Sequence, residues 1–284
     1  MVYKLPTMFP TAHHTNIGFY VVGTGSDKQF SALMTRAVPD LSFWGSGSGQ
    51  FFPRYTYRRP DEESGTLDFS TGEDDVDDWG YQRVDNISDE IKSLYGSKLG
   101  DDVRKDDIFC FVYGLLHSPT YRATYAADLK KMLPRIPTPE SRAEFDAYVD
   151  AGRQLLLLHA DYEEAEPFPL DVIIKKGHDP DDPSTWRVQK MKWRSKTDHS
   201  TIVYNPCVTI AGIPEEANRY LLGSRSALGW IIERYQVKTD KDSKIVNDPN
   251  DWCDEHDDPT YIVDLIRKVT AVAVETMKIV DGLP

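Results

Sequence analysis

The densest chemistry in the chain lies in Trp186–Lys196, W-R-V-Q-K-M-K-W-R-S-K, with five bases, no acid, and Trp, Val, Met and Trp interleaved. Bases at that density attract phosphates. An alternating strand would set Val188, Lys190, Lys192 and Arg194 on one face and Arg187, Gln189, Met191 and Trp193 on the other. Such a strand can track a nucleic-acid backbone while its neighbours fill a core. A solvated basic edge strand, guarded by lysine against aggregation, is written with the same residues. Gln50–Arg59, Q-F-F-P-R-Y-T-Y-R-R, joins three bases to four aromatics. There Gln50 or Arg54 could meet a base edge in a groove and Arg58 a phosphate; an aromatic core strand with a basic exit is the alternative. Tyr235–Lys244 adds Lys238 and Lys241 in a polar stretch that, taken alone, reads as a surface loop. The residues that a nucleic-acid role would use are Gln50, Arg54, Arg58, Arg187, Lys190, Lys192, Arg194, Lys196, Lys238 and Lys241, and the surface-strand and surface-loop alternatives stay open for them.

Catalytic constellations are missing. The chain contains no G-x-x-x-x-G-K-[ST], no H-E-x-x-H and no C-x-x-C. Gly45–Gly49 spells G-S-G-S-G, but a nucleophile elbow needs a helix directly after it, and Phe51–Tyr57 reads as a strand; a hairpin turn is expected. Asn205-Pro206-Cys207-Val208 lacks the aromatic ring that an amino-methyltransferase stacks on a flipped base, so it reads as a strand-end turn. No catalytic or metal-binding residue is expected.

The formal charge of −13 argues against nucleic acid until its distribution is considered. Asp61–Asp78 holds nine acids and Asp248–Asp258 six, neither with a base; the rest carries 33 bases against 31 acids. Both runs read as solvated, mobile surface segments. Three separated cysteines suit a reducing cytoplasm. No apolar run is long enough for a membrane span, and Met1–Pro6 lacks the apolar core of a secretory leader.

The elements that must position these residues follow from periodicity and punctuation. Strands are expected at Ile17–Val22, Phe30–Met34, Leu41–Trp44 and Phe51–Tyr57, and again at Asp171–Lys175, Arg187–Trp193, Thr201–Tyr204 and Cys207–Ile210. Between them the period is helical: Asp107–His117, then a helix capped by Ser118 with Pro119 in its first turn and running to Leu133, then one from Thr138 to about Tyr162. Helices close the chain at Pro214–Leu222, Ser226–Gln236 and Thr260–Ile279. Blocks of strands and helices without βαβ alternation predict an α+β fold. Four stretches are expected within one domain: a strand-rich 1–60, an acidic insertion 61–87, a helical block 88–166 and a second strand-plus-helix part 167–284.

At these residues the chain resembles a known family. Pro39–Tyr57, Asp107–Pro137, K-M-K-W (Lys190–Trp193), S-T-I-V-Y-N (Ser200–Asn205), G-I-P-E-E-A (Gly212–Ala217), Ser226–Trp252 and Val274–Pro284 are similar to the C-terminal target-recognition, or specificity, region of type ISP single-polypeptide restriction–modification enzymes, often labelled DEAD/DEAH-type helicases. The resemblance implies that this region reads an asymmetric site on double-stranded DNA. It also implies a parent polypeptide in which a nuclease, a helicase-like ATPase and an adenine methyltransferase precede this region. ATP, magnesium and S-adenosylmethionine are then implied for the parent only, and the methyltransferase domain is the implied protein partner. The alternative is a docking domain that supports the methyltransferase without reading DNA.

Overall fold

In the computed structural model the described residues are 4–26, 28–38, 49–59 and 76–284. The expected strand Leu41–Trp44, the turn before Gly49 and most of the acidic insertion lie outside them. The fold is α+β, and the chain divides into two compact units, Met1–Ala160 with Leu283–Pro284 and Asp161–Gly282.

In the first unit, β1 (Gly18–Val21) is the middle strand of an antiparallel sheet, between β2 (Ala32–Thr35) and β3 (Gln50–Pro53). Phe19 faces Met34 on one side and Phe52 on the other, so large apolar side chains, two of them aromatic, fill one register position across the sheet. The expected strand Phe51–Tyr57 is interrupted at Arg54; β4 (Tyr55–Arg58) leaves the sheet and pairs with β5 (Gln82–Asp85). The helices are α1 (Leu5–Met8), α2 (Asp89–Leu99), α3 (Lys105–His117), α4 (Pro119–Thr124), α5 (Ala126–Leu129) and α6 (Arg142–Ala160). Ser118 accepts the Tyr121 amide as the cap of α4, with Pro119 in its first turn, as the sequence predicts. The helix expected to reach Leu133 is instead broken at Tyr125, which leaves the helical region at φ −103°, ψ 17°.

Helices α3 and α6 cross with backbone against backbone. A Cβ on Gly152 would stand 1.8 Å from the Cys110 carbonyl oxygen, and one on Gly114 would stand 2.3 Å from that of Tyr148. Neither obstacle is a side chain that could swing away. Close by, the Tyr113 hydroxyl accepts from the Met34 amide (2.8 Å) and shares a hydrogen bond with His159 Nδ1 (2.6 Å), while His117 Nδ1 donates to the Tyr113 carbonyl (2.9 Å). Both imidazoles are enclosed. Burial, and then the nearby positive charge of Arg122, pulls the pKa of His159 down to about 3 and that of His117 well below its ordinary value.

In the second unit the sheet order is β6 (Asp171–Ile174), β9 (Val208–Ala211), β8 (Thr201–Val203), β7 (Lys192–Trp193), all antiparallel. Next come α7 (Glu215–Arg219), the paired β10 (Leu221–Leu222) and β11 (Arg225–Ser226), and α8 (Ala227–Arg234). The hairpin β12 (Lys238–Thr239) and β13 (Val246–Asn247) leads to α9 (Asn250–Glu255) and α10 (Tyr261–Asp281). Ile262, Ile266, Val269, Ala273 and Met277 of α10 share one core with Ile202, Tyr204, Ile210 and Leu228. Thr270 and Thr276 are fully buried there and satisfy their hydroxyls on the carbonyls one turn back, each at 2.7 Å.

Where they are described, the acids of both runs are mostly exposed, as expected of solvated segments, but the backbone around them is built into hydrogen-bonded structure. Asp77 takes the amides of Trp79 and Tyr81 on one oxygen and the buried His14 ring, 2.8 Å away, on the other. Within Asp248–Asp258, α9 forms with Asn250 and Cys253 buried, its acids lying on the outer face. Among the described residues no helix is long and apolar enough to cross a membrane.

Two outcomes test this packing. Gly152→Ala is expected to destabilise the first unit by about 3 kcal/mol, because the clash is with backbone; calorimetry on the purified variant measures it. The histidines set a pH dependence. In the unfolded chain they titrate near their ordinary value of about 6.5, whereas in the fold they stay neutral far below it. Stability is therefore unaffected by them above pH 6.5 and falls as pH drops below it, by about 1.4 kcal/mol per pH unit for each histidine. Melting curves between pH 6.5 and 5.5, above the carboxylate range, where the slope is still building, should show a loss of about 1 kcal/mol per histidine, and His159→Gln should halve the total.

Candidate nucleic-acid interface

The basic stretch of the second unit is built differently from the strand its sequence suggests. Residues 183–186 form a 3-10 turn and only Lys192–Trp193 is strand, at the edge of the sheet against Ile202 and Val203. Val188 and Met191 are buried, three residues apart instead of two. Side chains take the place of a neighbouring strand. The buried Asn250 accepts the Val188 amide (2.8 Å) and donates to the Val188 carbonyl (2.9 Å). The buried Asn205 donates to the carbonyls of Thr185 and Arg187 and accepts the amides of Cys207 and Val208, so N-P-C-V is indeed a turn between β8 and β9. Corrected for this geometry, Val188 belongs to the core and not to the basic face.

This bracing leaves the lysines outside. Lys190, Lys192 and Lys196 are exposed, and none of them makes an ion pair with a described residue; Arg194 stands 3.9 Å from Asp198. Lys238 and Lys241 are brought to the same region. The Val237 amide donates to the Gln189 carbonyl (3.0 Å) and the Gln236 side chain to that of Met191 (3.4 Å), which roots the β12–β13 hairpin on the 189–191 segment. Lys238 donates to the Glu233 carbonyl, whereas Lys241 at the tip makes no ion pair with a described residue. Arg187 is otherwise engaged: one of its nitrogens is 2.8 Å from both oxygens of Asp254, which hold the guanidinium charged. A polar cleft of about 570 Å³ opens beside it, lined by His178, Asp179, Asn205, Cys207, Asp248 and Val237 among others.

The remaining candidates belong to the first unit. Gln50 is exposed at the head of β3, and Arg58 is exposed with its Nε on the Gln82 side chain (2.9 Å). Arg54 corrects the expectation most plainly. It is 4% exposed, with its Nε 2.8 Å from Asp106 and its terminal nitrogens on Asp85 and Asp106. Its guanidinium also lies over the Tyr55 ring at 4.5 Å. Burial works against the charge, but the two carboxylates outweigh it and raise the pKa. Buried and held by two carboxylates, the fork is not presented at the surface as a base-reading arginine would be. Its role is to tie the break between β3 and β4 to β5 and α3.

Among the described residues, no group of three or more His, Cys, Asp or Glu is placed to hold a metal ion. All three cysteines are free thiols. Replacing Arg54 by Ala should cost the first unit about 2 kcal/mol, because charged hydrogen bonds are lost while both carboxylates keep access to water. Arg54→Lys should recover only part of it, since an ammonium cannot span two carboxylates as a planar fork does. Denaturant titration of the three proteins reads the order directly.

Among curated proteins none matches the chain. Solved structures do. The chain is similar to a nuclease-deletion mutant of the Type ISP restriction-modification enzyme LlaGI in complex with a DNA substrate mimic, at 35% identity and a TM-score of 0.77 over 99% of this chain and 22% of that one. It is also similar to the ATP-dependent Type ISP restriction-modification enzyme LlaBIII bound to DNA, at 32% and 0.80, covering 99% and 16%, and to DrdV in a DNA complex, at 29% and 0.77, covering 99% and 26%. The chain thus spans about a quarter or less of the length of each. The model of the Type ISP C-terminal specificity domain matches residues 1–265, and the chain belongs to that family.

Proposed function

We propose that this chain is the DNA target-recognition domain of a restriction–modification enzyme and holds the duplex for a methyltransferase and a helicase–nuclease carried elsewhere in a larger polypeptide. The observation that carries this reading is the match of 99% of the chain to enzymes solved with DNA. The cations of 190–196 and Lys241, exposed and largely without carboxylate partners, support it. On this reading the ATP, magnesium and S-adenosylmethionine chemistry belongs to other parts of that enzyme, and the setting is the cytoplasm. Lys190, Lys192, Arg194, Lys196 and Lys241 supply phosphate contacts. Arg54 and Arg187, paired internally, do not.

Salt titration of the 284-residue chain on random-sequence duplex tests this. With about five phosphates neutralised, log K should fall against log salt with a slope of about −4. Lys192→Ala and Lys196→Ala should each reduce that slope by about one and weaken all duplexes alike, because phosphate contacts position without reading sequence. Absence of binding at low salt would overturn the reading and favour a domain that only docks the methyltransferase.

A further inference from the structure

We infer that the β12–β13 hairpin is the part of this chain that enters the major groove, and that Ile245 and Val246 there meet the methyl groups of thymine. The inference rests on the DNA-recognition reading above. Every residue from 237 to 247 is exposed, so the hairpin packs on no core. Ile245 and Val246, 68% and 56% exposed, are nevertheless the two most exposed large apolar side chains among the described residues. Apolar groups held in water on an otherwise polar projection point to a surface that covers them on binding.

The charge around them indicates what that surface is. Lys238, Lys241 and Lys244 lie on the hairpin, and its root is hydrogen-bonded to the segment that carries Lys190 and Lys192. Asp240, one of the two acids of the loop, is engaged within it: its Oδ1 accepts the amides of Asp242 and Ser243 and the Ser243 hydroxyl, at 3.1, 2.8 and 2.9 Å. The cap and the Ile245 carbonyl bond from the Asp240 amide (2.9 Å) close the tip before any partner arrives. A two-stranded ribbon has the width the major groove admits. In the ribbon Thr239 and Val246 stand opposite each other on one face, and Lys238 and Asn247 on the other. Val246 thus offers apolar contact from one face of the ribbon, Lys238 and Asn247 offer charge and donors from the other, and Ile245 lies between the turn 241–243 and β13, where the ribbon meets its tip. In the major groove the apolar feature that varies with sequence is the 5-methyl group of thymine.

The test uses the whole chain. Duplexes enriched by it from a randomised pool are resynthesised with uracil in place of thymine, which removes only the methyl groups. Affinity should drop about fourfold for each methyl group contacted. In the double variant Ile245→Thr, Val246→Thr, which keeps β-branched side chains in a solvated hairpin, thymine and uracil duplexes should bind alike. Ile173→Thr, at a comparably exposed position on the opposite edge strand, should keep the wild-type preference. If the wild-type chain binds and enriches duplexes but ignores the loss of the methyl groups, or if the double variant still discriminates, the inference fails while the DNA reading stands. The first result would fit a hairpin covered by protein. If no duplex is bound at low salt, both fail.

Discussion

The bond pair between the Asn250 side chain and the backbone of Val188 decides what the second unit can present to a partner. A stretch outside regular structure must still satisfy its amides and carbonyls, and leaving one buried without a partner costs about 1–3 kcal/mol. Asn250 and Asn205 meet that demand from the side, as one-residue substitutes for a neighbouring strand. Freed from strand alternation, the chain sends Val188 and Met191 inward and leaves Lys190 and Lys192 in solvent. The hairpin root, the edge strand and the start of α9 all depend on this junction, since Asn250 is the first residue of that helix.

Arg54 of the first unit and the lysines of 190–196 in the second show two opposite treatments of a cation. In the first, Arg54 is surrounded by Asp85 and Asp106, and its field is cancelled within a few ångströms. Lys190, Lys192, Lys196 and Lys241 instead stand exposed, without an ion pair to any described residue. A buried pair joins elements and contributes almost nothing at a distance. Unpaired surface charges add little to the fold but reach into solvent over roughly a Debye length, about 8–10 Å at ordinary ionic strength. Counting bases in a sequence merges these two populations.

What the sequence made legible was local. The α+β class, the Ser118–Pro119 junction, β1, α3 and α10 all follow from periodicity and capping within a few residues. Misreadings arose where the deciding partner is remote. Asp85 and Asp106 lie 31 and 52 residues from Arg54, so its aromatic neighbours dominated the reading of that segment. Asn250 lies 62 residues from Val188, so the alternation of 187–193 looked intact. In the acidic run the buried Asn250 and Cys253, three residues apart on one face of α9, are a helical signal that six carboxylates obscured. The family resemblance, spread over nearly the whole length, was legible because it needs no single contact to be right.

The glycine crossing of α3 and α6 also bears on how this domain can drift. Every amino-acid change at Gly114 or Gly152, whatever the codon, adds a Cβ that meets a carbonyl of the facing helix. No compensating change in a side chain can make room, because the obstacle is main chain. These two positions are closed to neutral substitution, while exposed positions such as those of the hairpin can vary at little cost to the fold. Divergence among such domains is thereby channelled away from the frame and toward the surface.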